Sequence, residues 1–538
     1  DVIAFLKSEK QSILSLLPTS PQPIVQNKSL NTVCKRSLTP FEPVPLSFSQ
    51  QRLWFLDQLS EHKDGTYNIP ESLRLKGTLH VERLQQALDI IIQRHEALRV
   101  KVVDLEHGAC QQVIEKFKFS LEQHDYSHLS SSDASNKAMQ LADREANEGF
   151  DLKQGPLFRS KLIKLSEKEH LFLFTLHHII ADGWSKALLT KELMNAYNQP
   201  GNDQNVSNHD QIHYLDYACW QHQQAKQTGF EPHKTYWKNQ LKGIPPVMEL
   251  PLDYIRPKQK SNRGASHFVT LDQTQLKSLH NIAKNNGCSL YMVMLAIYKI
   301  LLMRYTERTD VVVGTNVANR DQIELENVVG FFVNTLVLRT NLQGNPSFLE
   351  MLKRVKSTAL SAYTHQQMPF EKLVEAIQPE RNLGFEPLVQ IMFVMQNTKN
   401  ESLTLSDLNV SSLAINRNSA KFDLSLIATE VGNGIECEFE YSLDILTKTK
   451  ISQMANHYIN LVNAIISNPE EKIQSFDMTN AQEKHLLSQF QSGGTFYNND
   501  NRSNAENHII TDPVNIIGAW QKVSSAHQET IAVKDGYS

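Results

Sequence analysis

The feature that most constrains the fold of this chain is a set of predicted helices and strands that occurs twice along it. In the first half, a helix, a strand, a second helix and a second strand are predicted at 81–98, 100–102, 134–148 and 159–165. In the second half, helices are predicted at 274–285, 290–305, 347–364 and 448–466, and strands at 310–314, 331–339, 389–395, 422–429 and 435–441. The two sets show no obvious sequence repeat, so they indicate two similarly built α/β lobes rather than a short-period array.

The length and charge of the chain fit this organisation. With 538 residues the chain exceeds what one hydrophobic core usually serves. A cleft between lobes is the natural place for a site that admits large substrates. The 54 basic and 58 acidic residues nearly balance, and no basic stripe with interleaved aromatic residues is visible. We therefore expect no nucleic acid partner.

Cysteine usage and apolar runs suggest where the protein works. The five cysteines are dispersed, odd in number and without a CxxC pair, which argues against a disulfide framework and a metal site and fits a reducing cytoplasm. The start of the chain lacks the basic region and long apolar core of a secretory signal. The longest apolar stretch, 290–303, is too short to span a bilayer and contains Lys299. We predict a buried core helix there and no membrane partner.

Two adjacent histidines, His177 and His178, follow the apolar run 171–176. Neighbouring side chains on a strand point to opposite faces, so the two imidazoles cannot share one role. One can face a cleft while the other packs into the body of the protein. A purely structural histidine pair remains the alternative at this point.

An acid and a glycine, Asp182 and Gly183, follow the second histidine. The glycine suits a sharp turn, and Ser185 is a good N-cap for the helical stretch 186–197. The pattern is typical of a catalytic base on a turn between a strand and a helix.

Six ordered motifs lie along the chain, at 46–56, 94–99, 177–185, 214–220, 329–335 and 365–371. In this order and spacing they resemble the core motifs of condensation domains of nonribosomal peptide synthetases, over about residues 46–490. The segment 236–257 looks like the family's connection between its lobes. One motif departs from the family pattern, because Gly384 and Phe385 replace its usual polar pair, which puts any role of those two side chains in doubt.

The resemblance implies an α/β fold of two chloramphenicol-acetyltransferase-like lobes, which form a V-shaped pseudo-dimer around a central cleft or tunnel. It divides the chain into an N-terminal helical segment with a linker, the N-terminal lobe, an inter-lobe connection, the C-terminal lobe, and a linker with the truncated start of an adenylation domain. These parts correspond to residues 1–44, 45–225, 226–264, 265–490 and 491–538. After the Pro-, Ser- and Asn-rich linker, order is expected to begin at Leu46.

The resemblance also implies acyl transfer that forms an amide bond between two carrier-bound thioesters. We assign the central role to His178, whose neutral ring can accept a proton near working pH, either as a base or by orienting the amine. We assign His177 a structural role. Two roles are open for Asp182, holding His178 or pairing with a cation to brace the turn. We expect bracing, with Arg320 of the other lobe as the partner, because buried carboxylates are normally paired. The Gly183 N–H is expected to contact substrate, with a plain turn glycine as the alternative.

Five more residues complete the predicted site. Arg52 and Trp184 are interpreted as supports of the packing between the lobes. Asn334, Thr335 and Ser185 are candidates for lining the substrate tunnel, and packing roles stay open for the first two.

The ends of the chain indicate its partners. Residues 519–533 resemble the opening of an adenylation domain, and 492–495 lack the context of a carrier-domain attachment site. The chain is thus expected to bind no cofactor itself. Its substrates would arrive on the 4'-phosphopantetheine arms of upstream and downstream peptidyl carrier domains, with the adenylation domain as neighbour. Trp184 and the segment 330–339 look more like subtypes that join an L-configured donor.

Three other functions remain open at this point. An epimerisation domain of the same fold would abstract an α-proton, and a related acyltransferase would use coenzyme A. A non-catalytic platform would only recruit partner enzymes. Such a platform would have no reason to keep His178, Asp182 and Gly183 together.

Overall fold

A computed structural model describes residues 32–36, 39 and 41–491, with gaps at 60–64, 107, 200–210, 381, 397–403, 406–407 and 414–417. The helical pattern expected near the start of the chain and the segment that resembles an adenylation domain lie outside these residues. Within them the predicted pair of α/β lobes is present, and each lobe is built on a six-stranded mixed sheet.

The first lobe contains the strand that ends at the two histidines. Its helices α1 to α5 are Phe48–Leu59, Val81–Arg94, Ser131–Asn147, Gly183–Asn198 and Tyr214–Thr228. Its strands β1 to β7 are Val44–Pro45, Asn68–Gly77, Val100–Leu105, Gly108–Val113, Glu122–Asp125, Phe158–Ser166 and Glu169–His177. Strand β7 lies between β2 and β6, antiparallel to both, so the strand that ends at His177 is held on both sides.

The second half of the chain forms the second lobe. Its helices α6 to α12 are Glu231–Gln240, Gln273–Asn285, Leu290–Thr306, Phe348–Thr364, Phe370–Ile377, Lys448–Ser467 and Ala481–Gln491. Its strands β8 to β15 are Gly264–Leu271, Asp310–Val317, Asn334–Asn341, Ile391–Gln396, Thr404–Leu405, Leu408–Ser412, Leu424–Val431 and Gly434–Ser442. Six of them form a sheet in the order β10-β9-β11-β14-β15-β8.

The remaining two strands, β12 and β13, leave the second lobe and complete the sheet of the first. That sheet runs β12-β13-β2-β7-β6-β5, and β13 pairs antiparallel with β2 over five residues, from Leu408 opposite Gly77 to Ser412 opposite Leu73. The sequence did not predict these strands. They have only two and five residues, and the apolar-polar alternation of Leu408 to Ser411 is too short to indicate a strand by itself.

Each lobe has its own hydrophobic core. The core of the second lobe surrounds α8, in which every residue from Met292 to Met303 is buried, as the long apolar run predicted. The ammonium group of Lys299 donates to the carbonyl oxygens of Val311 and Leu338 at 3.2 and 2.6 Å, so this buried lysine is bonded to two strands. Burial lowers its pKa to about 7.

Three local predictions were wrong. Helix α4 begins at Gly183 rather than 186, because the side chain of Asp182, and not that of Ser185, caps it. The helix predicted over 81–98 ends at Arg94 and continues as a 3-10 turn at Glu96–Arg99. Strand β10 begins three residues later than predicted, since 331–333 belong to the preceding turn. The capping box of Ser347 and Glu350 at the start of α9 is confirmed.

The packed part of the chain begins earlier than predicted. Val33 is 2% exposed and Val44 is fully buried, although both precede Leu46. Part of the segment assigned to the linker therefore packs on the lobes.

No single helix among the described residues is both long and apolar enough to cross a membrane, and the pair α7 and α8 meets the criteria only jointly, across a 104° bend. Within the same residues, no group of three or more His, Cys, Asp or Glu side chains is placed to hold a metal ion.

Candidate active site

The two histidines lie where β7 passes into a turn. His177 is the last residue of the strand, and His178 is the first residue beyond it. The backbone N–H of His178 donates to the carbonyl of Tyr67 at 2.8 Å, so the first residue of the turn is still tied to the chain leading into β2. Two turn bonds follow, from Ile180 N to His177 O and from Ala181 N to His178 O.

The imidazole of His178 is half-buried and held in one orientation. Its Nδ1 lies 3.1 Å from the carbonyl oxygen of Ala181, and its ring lies edge-on to Phe331 of the second lobe, with centroids 5.2 Å apart. A carbonyl oxygen only accepts, so Nδ1 carries the proton and the neutral ring has its lone pair on Nε2. This tautomer can accept a proton at Nε2.

The imidazole of His177 is buried in the first lobe. Its Nδ1 accepts from the backbone N–H of Ile179 at 3.1 Å, and its ring packs edge-on against Phe150, with centroids 5.9 Å apart. Burial, with the positive charges of Lys421 and Arg159, lowers its pKa to about 3. His177 is therefore neutral at any working pH and, unlike the half-buried His178, is positioned as a packing residue.

Asp182 is fully buried and joins the two lobes. One oxygen accepts from Ser185 N at 2.8 Å and caps α4, while the other accepts from Phe332 N at 3.1 Å. Arg320 Nη2 lies 3.3 and 3.4 Å from the two oxygens. The structure thus brings Arg320 to Asp182, the partner that the sequence predicted.

Arg320 is itself held by the second lobe. Its Nη1 donates to the carbonyls of Leu325 and Val328 at 2.5 and 2.6 Å, and its guanidinium lies 4.0 Å from the centroid of the Phe332 ring. Burial lowers the pKa of Arg320, and the nearby Asp182 carboxylate opposes that shift. We call the ion pair of Asp182 and Arg320 the inter-lobe brace.

Ser185 does not line an open tunnel. It is fully buried, and its hydroxyl donates to Gly330 O at 2.9 Å while accepting from Gly330 N at 3.0 Å and from Arg320 Nη2 at 2.9 Å. Full burial and these bonds favour a structural role for Ser185 over the tunnel role that the sequence predicted.

Asn334 is likewise a structural residue. Its amide nitrogen donates to Gln366 O and Met368 O at 2.8 and 2.7 Å, and its amide oxygen accepts from Phe370 N and Thr335 N, both at 3.0 Å. Of the two roles left open for Asn334, the contacts favour packing over tunnel lining. Thr335 is half-buried and donates to the Asn316 side chain at 3.3 Å.

Gly183 and Trp184 are the exposed residues of the motif. A Cβ added to Gly183 would meet nothing within 4 Å, and its φ lies outside the left-handed region. Neither the turn nor the packing therefore requires a glycine there. Trp184 Nε1 donates to the carbonyl of Glu326 in the second lobe at 2.9 Å, which agrees with a support between the lobes.

Arg52 on α1 also contacts the second lobe. Its Nη2 donates to Glu386 at 2.8 Å, and its guanidinium lies 4.9 Å from the centroid of the Phe370 ring. Lys260 bonds the other oxygen of Glu386. Glu386 was missed from the sequence. It could have been noticed as the acidic residue directly after Gly384 and Phe385, where the chain departs from the family motif.

Gly330 and Tyr214 fix the turn before β10, and the sequence missed the role of Gly330. A Cβ on Gly330 would lie 1.9 Å from the Tyr214 ring, so only glycine fits there. The Tyr214 hydroxyl donates to Phe331 O at 2.6 Å and lies 2.8 Å from Ser47 Oγ. Gly330 directly before two phenylalanines was the available signal. Tyr214 thus holds in place the turn that presents Phe331 to His178.

Comparisons with known proteins agree with this geometry. Residues 42–488 match the family model of the condensation domain. The chain is 40% identical over 445 residues to a linear gramicidin synthase protein of Brevibacillus parabrevis, covering 82% of this chain and 6% of that protein. It is 35% identical over 447 residues to a plipastatin synthase protein of Bacillus subtilis (strain 168), covering 83% of this chain and 17% of the relative. The chain thus spans a small part of the length of these relatives.

A solved structure shows the same fold. The X-domain from teicoplanin biosynthesis superposes with a TM-score of 0.75 at 26% identity, and the alignment covers 82% of this chain and 99% of that one. The family model matches most of the chain, and the histidine turn, the brace and the two mixed sheets lie within the matched residues. The chain belongs to the condensation domain family.

Proposed function

We propose that this chain forms an amide bond between a carrier-bound donor thioester and the α-amine of a carrier-bound acceptor aminoacyl thioester. The observation that carries the proposal is the fixed tautomer of His178. Its Nδ1 is held by Ala181 O, so its Nε2 has a lone pair, and its ring sits where Phe331 of the other lobe meets it. A site between lobes suits two tethered substrates that approach from different sides.

The proposed step balances without a cofactor. The acceptor amine attacks the thioester carbonyl carbon and forms the C–N bond, and His178 Nε2 takes one proton from the amine nitrogen. The oxyanion then collapses, the C–S bond breaks, and the departing thiolate receives the proton from His178. Two tethers hold the reactants together, so proximity supplies much of the rate.

Gly183 is proposed to contact the developing oxyanion. It is the first residue of α4, and N–H groups in the first turn of a helix have no partner within the helix. The space in front of its Cα is open, which leaves room for a substrate. Preorganised backbone donors of this kind stabilise negative charge in acyl transfer.

The partners and the donor stereochemistry belong to the same proposal. The curated relatives are components of synthetases, which supports carrier domains on both sides and an adjacent adenylation domain, with substrates borne on 4'-phosphopantetheine. We further propose an L-configured donor and a cytoplasmic location. Donor carriers loaded with L- and D-aminoacyl groups test the stereochemistry, and cell fractionation tests the location.

The deciding experiment mixes loaded donor and acceptor carriers with the chain and follows the dipeptidyl thioester by intact-protein mass. Loss of a positioned proton acceptor costs about 10²- to 10⁴-fold in rate, which we expect for His178→Ala. His128→Ala, an exposed histidine of the same lobe, is the matched control and should retain wild-type activity. Equal product from His178→Ala and wild type would remove His178 from the mechanism.

The same assay separates the alternatives. Inversion of the α-carbon on a single loaded carrier would indicate epimerisation. Product from an acyl-coenzyme A donor without a donor carrier would indicate the acyltransferase. A wild-type chain that yields no product with either donor would favour the non-catalytic platform.

A further inference from the structure

Residues 32–36, which we call the strap, cross the surface where the two lobes meet. The anchor on the first lobe is Arg36, whose side chain is 7% exposed. Its backbone N–H and Nη1 both donate to Asp216 Oδ1, at 3.1 and 2.9 Å, and its Nη2 donates to Glu96 at 2.8 Å. Asp216 is nearly fully buried, so this is a buried ion pair and not a surface contact.

The strap contacts the second lobe through Val33. Its backbone N–H donates to the Gln322 side chain at 3.0 Å. Its side chain is buried in a small apolar cluster with Tyr214 and Tyr217 of α5 and with residues of the second lobe, namely Leu325, Val328 and Phe332. Three residues further along the chain, Arg36 is bonded to the first lobe, so the strap contacts both lobes.

The second-lobe residues that share this cluster with Val33 are those that position Arg320. The carbonyls of Leu325 and Val328 accept the two bonds from Arg320 Nη1, and the Phe332 ring lies under the guanidinium. The backbone N–H of Phe332 also bonds Asp182. One layer of contacts therefore separates the strap from both partners of the inter-lobe brace.

We propose that the strap, through Arg36 and Val33, positions the inter-lobe brace and thereby the turn that carries His178. The effect on amide formation rests on the proposed function, whereas the effect on the brace does not. The buried apolar cluster fixes the loop 322–328 only while Val33 fills it, because packed interiors transmit small displacements. A shift of the loop carbonyls moves Arg320, and with it the Asp182 carboxylate that caps α4 beside the histidine turn.

The first test measures hydrogen exchange in the loop 322–328 of the full chain. We expect Arg36→Ala to raise amide exchange there by about tenfold, and Val33→Ala to raise it by a smaller factor, as local opening becomes easier. Cys34→Ser changes an exposed strap residue whose thiol donates to the carbonyl of Thr32, two residues away, and should exchange as wild type. If Arg36→Ala does not fold, Val33→Ala decides the question.

Unchanged exchange in the loop 322–328 in both variants would overturn the proposal. So would a uniform rise in exchange over both lobes, since that would make Arg36 a general stabilising residue.

The second test measures kcat and KM for loaded carriers. A misplaced site lowers kcat, and we expect a loss of about tenfold in Arg36→Ala with KM changed less than about twofold. Combined with Arg320→Lys, the strap variant should cost less than the product of the two separate losses, because coupled residues are not additive. If the two losses in kcat simply multiply in the double variant, or if kcat of Arg36→Ala is unchanged, the strap does not position the brace. A wild-type chain without condensation activity would overturn the proposed function, and the exchange test alone would then decide the strap.

Discussion

At the scale of the residue, burial separates two side chains that are adjacent in sequence. His177 and His178 have the same chemistry, yet one accepts a bond from Ile179 inside the lobe and the other donates to Ala181 at its surface. The sequence predicted this division from strand alternation. The pairing of Asp182 with Arg320 was predicted from the rule that buried carboxylates are paired, together with the family resemblance.

The sequence could not predict which other polar residues face solvent or substrate. Ser185 and Asn334 are polar and lie beside the motif region, but both are buried with their hydrogen bonds made inside the protein. A polar side chain that is satisfied in a core and one that lines a cleft look alike in sequence. Only the partners decide, and those partners come from distant segments.

The buried His177 predicts a stability that depends on pH. Burial lowers its pKa from 6.5 to about 3, so below pH 6.5 the unfolded chain binds a proton that the folded chain does not. The stabilisation is fully present above pH 6.5 and falls as the pH drops towards 3. Between pH 7 and pH 5 the loss amounts to about 2 kcal/mol. Denaturant unfolding of wild type and His177→Asn should show this pH-dependent difference, and parallel curves would contradict it.

The open position of Gly183 predicts that Gly183→Ala keeps its stability but loses activity. Alanine fits the open space at the start of α4 and favours a helix by up to about 1 kcal/mol over glycine, so Gly183→Ala should melt at or slightly above the wild-type temperature. Its methyl group would crowd a substrate at the N–H, and kcat/KM should fall about tenfold or more. Thermal melts and the carrier assay measure both quantities. Unchanged activity would leave Gly183 without a substrate contact.

At the scale of the element, the predictions succeeded where apolar periodicity was long and failed where it was short. Helix α8 and strands β14 and β15 lie within two residues of their predicted bounds. Strands β12 and β13 were missed, because an alternation over two or five residues is too short to be told from chance. The start of α4 was misplaced because two residues of the motif can cap a helix, and the choice depends on the tertiary bonds of Asp182.

The hydrogen bonds of Asn334 at the start of β10 predict that its substitution lowers the stability of the protein. It bonds the backbone at four points and ties this strand to the beginning of α10. Asn334→Ala leaves buried amide and carbonyl groups unpaired and should lower the free energy of unfolding by about 2–4 kcal/mol. The neighbouring Thr335→Val removes one long side-chain bond and should stay within about 0.5 kcal/mol of wild type. Equal stabilities in denaturant unfolding would refute the assigned role.

At the scale of the whole molecule, the lobes are joined by buried polar contacts as well as by the chain. The inter-lobe brace, the Ser185 hydroxyl and the Trp184 indole each bond the second lobe from the start of α4. The repeated set of helices and strands predicted two lobes and a cleft. It did not predict that the first residues of α4 would make so many of the contacts between the lobes.

The brace predicts that stability and activity fall together. Asp182→Ala leaves the guanidinium of Arg320 buried without its carboxylate, which costs about 3–5 kcal/mol. Thermal melting and the carrier assay on the same preparation should show both losses. An unchanged melting temperature with lost activity would instead assign Asp182 a direct chemical role.

Strands β12 and β13 come from the second half of the chain but complete the sheet of the first lobe, and this has a consequence for synthesis on the ribosome. The first lobe ends with α5 at Thr228, but β13, the second partner of β2, is complete only at Ser412. At 5–20 residues per second, the intervening chain takes roughly 10 to 40 s to emerge. During that interval the edge of β2 presents unpaired backbone groups, the kind of edge on which nascent chains aggregate. Edge-to-edge aggregation of the nascent first lobe is therefore expected mainly in this interval, before the second half of the chain supplies the missing strand.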